Sequence, residues 1–246
     1  MIDDHQLAGL AAQVTGEVLA ELRREAFRDG WMIWEVRDEG DRRAHDRLVE
    51  ELGSARPDDV VLSEEGVDDA RRLDAERVWI VDPLDGTVDY SSPYSDDYAV
   101  HVALVVNGVP TAAAVSLPAL GRLYGTATSP RPADPLRDRP VVIASRAQAH
   151  WGQALAEELG GDAVTAGSAG VKAMAVVAGE ADVYIHPTGL YEWDVCAPAA
   201  VARAAGLFVS GIDGSELEFN RARPVVPGLV VCRPELASAV LEALHP

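Results

Sequence analysis

The chain has 246 residues, 40 acidic and 21 basic, giving a formal net charge of −19. At roughly 150 residues per domain it holds one large domain or two intimate ones, and 48% hydrophobic with 25% charged residues suits a packed core rather than disorder. The acidic balance disfavours nucleic acid as a polymeric partner but leaves room for a small anionic substrate beside a divalent cation.

Leu7, Leu10, Ala11, Val14, Val18 and Leu22 recur at helical spacing and predict an amphipathic helix over about residues 4–28. Ala44, Leu48, Val49 and Leu52 predict a second helix over 41–53 that ends at Gly53. The stretch 30–40 between them has no clean period and is expected to be a loop. Strands are expected at Val60–Leu62, Val78–Val81 and Tyr98–Val106. Asn107-Gly108 then gives a hairpin signal into Val109–Leu117, with a further strand over Arg122–Thr128.

The proline-rich run 129–135 is the expected boundary between an N-terminal α+β half (1–133) and a C-terminal α/β half (134–246). Beyond it strands and helices alternate. Val141–Ile143 and Asp182–Ile185 read as strands, with helices near 147–159, 169–179 and 195–205, then a C-terminal strand and helix. The two cysteines, Cys196 and Cys232, lack paired spacing, so neither a disulfide framework nor a structural zinc is expected. Residues 1–5 do not resemble a signal peptide and no apolar run nears the roughly 18 residues that span a bilayer. A soluble, cytoplasmic protein without membrane partners is the expectation.

The most informative stretch is Trp79-Ile80-Val81-Asp82-Pro83-Leu84-Asp85-Gly86-Thr87. A buried strand runs directly into two aspartates. Pro83 ends the ladder, and Gly86 permits a tight turn. Both carboxylates and the Leu84 carbonyl can then point at one spot, a donor set suited to hard divalent cations. Glu64-Glu65 ends the preceding strand, and Asp194 follows Trp193 at a helix start. Taken alone, those two features read first as a solvated rim and an N-cap.

Together these motifs resemble the signature set of the lithium-sensitive, magnesium-dependent phosphatases of the inositol monophosphatase superfamily, over about residues 40–210. The resemblance implies a five-layered α-β-α-β-α sandwich. It implies Glu64, Asp82, Asp85, Asp194 and the Leu84 carbonyl as ligands of two or three Mg²⁺ ions, with Li⁺ inhibitory. Asp41 would pair with Thr87, and with Glu64 they would form the water-activating set for direct hydrolysis of a phosphate monoester. Glu65 would be supporting. One departure is Trp34–Asp41, which replaces the usual Pro-Val-Thr loop, leaves a third metal's position open and implies a differently shaped flap.

Several segments look more like bacterial 3′(2′),5′-bisphosphate nucleotidases than inositol phosphatases. These are Gly167–Lys172, Ser145-Arg146, Val88-Asp89-Tyr90 and Trp193–Pro198. Asp85, Gly86, Thr87, Ser145, Arg146, Ser168, Ala169, Lys172 and Asp194 are the expected substrate contacts. The expected substrate is adenosine 3′,5′-bisphosphate, in sulfate assimilation, with Ser168, Lys172 and Arg146 neutralising the 5′-phosphate. Inositol-1-phosphate and fructose-1,6-bisphosphate remain alternatives, as does a catalytically silent phosphate-binding module. The partner expected is a small phosphorylated molecule, and a homodimer is left open.

Overall fold

The computed structural model describes residues 2–128 and 136–244, so the expected boundary at 129–135 lies outside the described residues. Helix α1 (Asp4–Asp29) starts where Asp3 accepts from the Gln6 amide at 2.8 Å and Gln6 accepts from the Asp3 amide at 3.1 Å. It ends at Gly30. Its buried stripe is Leu7, Ala8, Ala11, Thr15, Leu19, Leu22 and Ala26, while Leu10 faces solvent.

Helix α2 (Ile33–Ala55) begins well before the expected position, so 33–40 is helix rather than loop and Asp41 lies inside the helix rather than at its start. Glu35 accepts from the Met32 amide at 2.8 Å and closes the first turn. The buried positions are Val36, Gly40, Ala44, Leu48 and Leu52, a stride of four that a glycine among charged residues conceals. Gly40 is needed there because a Cβ would lie 2.6 Å from the Tyr90 ring.

Two five-stranded sheets follow. The first holds β1 (Val60–Ser63), β2 (Arg77–Asp85), β3 (Ala99–Val106), β4 (Val109–Leu117) and β5 (Arg122–Gly125) in sequential order. Only its β1–β2 pair is parallel. A four-residue helix α3 (Thr87–Tyr90) separates β2 from β3, and β5 stops at Gly125, short of Thr128.

The second half contains β6 (Val141–Ser145), α4 (Ala149–Glu158), β7 (Asp162–Ala166), α5 (Ala169–Val177), β8 (Val183–His186), β9 (Leu190–Tyr191), α6 (Glu192–Ala204), β10 (Phe208–Ser210), β11 (Val225–Val226), β12 (Leu229–Cys232) and α7 (Ala237–Leu244). Its main sheet runs β10-β12-β8-β6-β7, with β7 and β8 parallel to β6. Strands β7, β9, β10 and β11 are additions to the expected pattern. The first is a largely solvent-facing edge, and the others have two or three residues.

Alternate residues of the strands assign the layers. Trp79, Val81, Val100, Val102 and Leu104 pack under α1 and α2. On the opposite face Val78, Ile80, Ala103 and Val105 join α5, α6 and the second sheet's Ile143, Tyr184 and Val231. Val142, Ala144, Val183 and Ile185 face α4 and α7. The order is helices, sheet, helices, sheet, helices, the five-layered sandwich expected.

Helix α2 offers a paired stability test. Gly53→Ala meets no neighbour within 4 Å and should stabilise by about 0.5 kcal/mol through helix propensity. Gly40→Ala drives a methyl into Tyr90 and should destabilise by about 1–3 kcal/mol. Thermal unfolding should move in opposite directions for the two; an increase for both would contradict the α2–Tyr90 packing.

Candidate active site

In a regular strand residues i and i+3 point to opposite faces. Strand β2 places Asp82 opposite His101 and Asp85 opposite Ala99, so one extra residue sits on β2 between them. This bulge turns Asp85 onto the inner face with Asp82, while Leu84 packs among the outer-layer residues. The Leu84 amide donates to Asp82 Oδ1 at 3.0 Å and holds that carboxylate in place. Gly86 then turns back at φ 90, where a Cβ would lie 2.5 Å from the Asp97 carbonyl.

From the middle helical layer comes Asp194, in the first turn of α6. It does not occupy the cap position itself, which is Tyr191; Asp194 accepts from the Tyr191 amide at 3.0 Å. Asp82, Asp85 and Asp194 each offer a carboxylate oxygen within 4.8 Å of the other two. Glu64 follows β1, its amide 3.4 Å from the Val81 carbonyl, and stands at the rim outside this tight trio.

The four carboxylates have unequal surroundings. Burial tends to raise Asp85, but the charges of His101 and Lys172 and the Ser168 hydrogen bond pull it below the usual carboxylate range. Its Oδ2 accepts from Ser168 Oγ and from the Gly170 amide at 2.7 Å, and His101 Nε2 stands 3.2 Å away. Asp82 is raised well above its ordinary value by burial and by the charges of Asp85, Glu64 and Asp194. Burial and Asp85 push Asp194 up to about 7, and desolvation and Glu65 push Glu64 up to about 6. Asp82 Oδ2 is buried with no partner among the described residues. An orphaned carboxylate oxygen inside an all-oxygen donor set fits a hard divalent cation.

Thr87 Oγ1 lies 3.3 Å from Asp41 Oδ1 and 3.2 Å from the Leu84 carbonyl. Burial, then Glu65, raises Asp41 to about 6, against a lowering by Thr87. Asp41 and Thr87 are therefore together, beside the carboxylates, although Asp41 arrives from mid-helix.

The family model for the inositol monophosphatase family matches residues 11–245. The chain belongs to the inositol monophosphatase family. The 3′-phosphoadenosine 5′-phosphate phosphatase of Mycobacterium tuberculosis is 44% identical over 240 residues, covering 93% of this chain and 88% of that protein. CysQ from Bacteroides thetaiotaomicron, a bacterial member of this family, superposes with a TM-score of 0.79 at 27% identity, covering 94% of this chain and 97% of that one. Inositol monophosphatase-II from Staphylococcus aureus shares the fold, with a TM-score of 0.82 at 19% identity over 98% of this chain and 95% of that one.

The remaining candidates of this inositol monophosphatase family member are placed less simply. Ser168 caps α5 by accepting from the Val171 amide at 3.1 Å. Ala169 opens that helix and is buried. The Gly170 donor at this helix start faces Asp85, so the anion it serves is the chain's own. Lys172 is fully buried. Its Nζ donates to the carbonyls of Gly167 at 2.5 Å and Ser168 at 2.7 Å, so it shapes the turn rather than facing the cleft.

Arg146 is exposed but already engaged, donating to Asp89 at 2.8 Å and to Asp97. Both expected 5′-phosphate contacts thus already have partners within the chain. Ser145 donates to Gln148 Oε1 at 3.1 Å. Glu192 accepts from the amides of Asn220 at 2.6 Å and Arg221 at 3.0 Å and anchors that loop.

His101 was not among the expected site residues. It is wholly buried, with Nδ1 3.1 Å from the Trp193 carbonyl and Nε2 toward Asp85. Burial lowers its pKa, but Asp85, the Trp193 carbonyl and Asp194 together raise it further, so the net direction is upward. The available signal was a lone histidine in an apolar strand facing a buried aspartate.

The raised carboxylates give a signed prediction. Asp41, Glu64 and Asp194 titrate near 6–7 when folded but near 4 when unfolded, so the folded chain holds more protons between those limits. Their stabilising contribution is full below about pH 4 and is lost as pH rises through about 6–7. A divalent cation on Glu64 and Asp194 replaces their protons. Millimolar Mg²⁺ should therefore raise the melting temperature more near about pH 8 than near about pH 5.5. An equal shift at both pH values would contradict a cation seated on these groups.

Proposed function

We propose that this chain is a Mg²⁺-dependent phosphomonoesterase that converts adenosine 3′,5′-bisphosphate to AMP and phosphate, in the cytoplasm, as part of sulfate assimilation. The observation that carries the reaction class is the convergence of Asp82, Asp85 and Asp194 around an unpartnered buried carboxylate oxygen. The substrate rests on the mycobacterial relative named for 3′-phosphoadenosine 5′-phosphate, 44% identical across most of both chains.

Asp82, Asp85 and Asp194, with Glu64 and the Leu84 carbonyl, would hold two or three Mg²⁺ ions. When bound, the cations supply positive charge against the phosphoryl oxygens. The chain's own residues do the rest. Thr87 Oγ1 takes a proton from the attacking water as it passes its own to Asp41 Oδ1, 3.3 Å away, so the hydroxyl is regenerated and the proton ends on Asp41. With its pKa near 6, Asp41 is largely ionised at neutral pH and ready to accept that proton. Ser168 and the Gly170 amide fix Asp85, whose bulged position sets the angle between it and Asp82.

Phosphate release should give adenosine 3′,5′-bisphosphate the highest kcat/KM when compared with inositol-1-phosphate and fructose-1,6-bisphosphate, and millimolar Li⁺ should inhibit. Equal efficiency on inositol-1-phosphate would overturn the nucleotide reading. Thr87→Ala should lower kcat by about 100-fold or more with KM within about threefold. Asp41→Asn should act similarly, and the double variant should be no slower than the worse single one. A full multiplicative loss would show that the two act separately.

A further inference from the structure

One wholly buried side chain meets both segments that carry the three aspartates. His101 lies on β3 opposite Asp82 across the β2–β3 ladder, and directly opposed residues project to the same face. Its Nε2 stands 3.2 Å from Asp85 Oδ2, without an aligned hydrogen bond among the described residues. Its Nδ1 lies 3.1 Å from the Trp193 carbonyl. A carbonyl only accepts, so Nδ1 carries a proton and donates. Trp193 precedes Asp194 in the first turn of α6. The imidazole therefore spans from the end of β2 to the start of α6.

The surroundings hold the ring in that place. A Cβ on Gly170, in the first turn of α5, would strike His101 Nε2 and lie 2.9 Å from the Ala99 side chain. Glycine there lets α5 close directly on the ring, and the Gly170 amide donates to the same Asp85 oxygen at 2.7 Å. At the other end the Trp193 indole stacks on Tyr191, with centroids 4.6 Å apart and planes 6° apart. The Tyr191 amide donates to Asp194 at 3.0 Å. Asp85 is thus held between His101 and α5, and the Asp194 segment between His101 and Tyr191. The ring has no exposed surface, so its action on the site runs through these carboxylates.

A fixed span matters more to one cation than to another. Mg²⁺ demands near-ideal octahedral oxygen geometry at about 2.0–2.1 Å, whereas Ca²⁺ accepts irregular sets at about 2.3–2.6 Å. Removing a group that orients a ligand from behind typically changes metal affinity by about 10–100-fold. We propose that His101 is a positioning residue that fixes the separation of Asp85 from Asp194 and so sets the site's preference for Mg²⁺ over Ca²⁺. This rests on the cation site proposed above.

Calorimetry on the cation-free protein, without substrate, measures the two affinities separately. His101→Leu fills the space with neither nitrogen and should lower the ratio of Mg²⁺ to Ca²⁺ affinity by about tenfold or more. His101→Asn keeps an N–H toward Trp193, and His101→Gln keeps an amide toward Asp85, so each should retain part of the preference. Gly170→Ala leaves the imidazole present but displaces it, and should lower the ratio as well; it carries the test where a His101 variant does not fold. An unchanged ratio in the folded variants, or equal losses for both cations, would overturn the role of His101, because a merely structural histidine lowers stability without sorting the ions. Equal affinity of the unmodified chain for both ions would overturn the preference. An unmodified chain that binds neither would overturn the cation site itself.

Discussion

Three aspartates, two from the end of β2 and one from the start of α6, meet inside the molecule, and their mutual repulsion is the constraint around which the fold is arranged. Like charges in a low-dielectric site raise one another's pKa or demand a counter-charge. At Asp85 the charges of His101 and Lys172, with Ser168 and the start of α5, outweigh burial and hold the carboxylate low. Asp82, and Asp194 despite the His101 charge and the Tyr191 amide, are pushed upward by burial and by their acidic neighbours. That asymmetry is what an all-oxygen cation site requires: one carboxylate oriented rigidly by the protein, the others available for the ion.

The same arrangement ties the two sheets together. Asp85 comes from the end of β2 in the first sheet, and the groups it accepts from belong to α5 in the middle layer. A second tie runs close by, where Arg146 after β6 bridges Asp89 and Asp97 and the Gly167 amide donates to Asp97 at 3.0 Å. The site is therefore a product of both halves, and its geometry depends on how the sheets are held across the shared apolar core. Buried polar groups kept at such a junction cost stability and are retained where function needs them.

Much of this was legible in the sequence. The strand-to-carboxylate transition at Trp79–Asp85 announces itself by four apolar residues running into two aspartates, and the Asn107-Gly108 hairpin by its turn chemistry. Helix α2 was obscured at its start because its buried face there is Val36 and Gly40 among charges, and glycine carries no apolar signal. The roles of Arg146 and Lys172 were hidden for another reason. A cation near a phosphate motif reads as a ligand group, and only the fold reveals that carboxylates 49 to 57 residues away, or local carbonyls, already engage it. His101 depends wholly on tertiary pairing, across β2 and with the start of α6.

The most direct test of the central claim, that the raised carboxylates are the cation site, is the number of protons released when Mg²⁺ binds. Calorimetry in buffers of different ionisation enthalpy measures it. With Asp194 titrating near 7 and Glu64 near 6, binding near about pH 6.5 should release protons, and the share released from these two groups should fade toward about pH 8.5. Binding without proton release near about pH 6.5 would contradict the account.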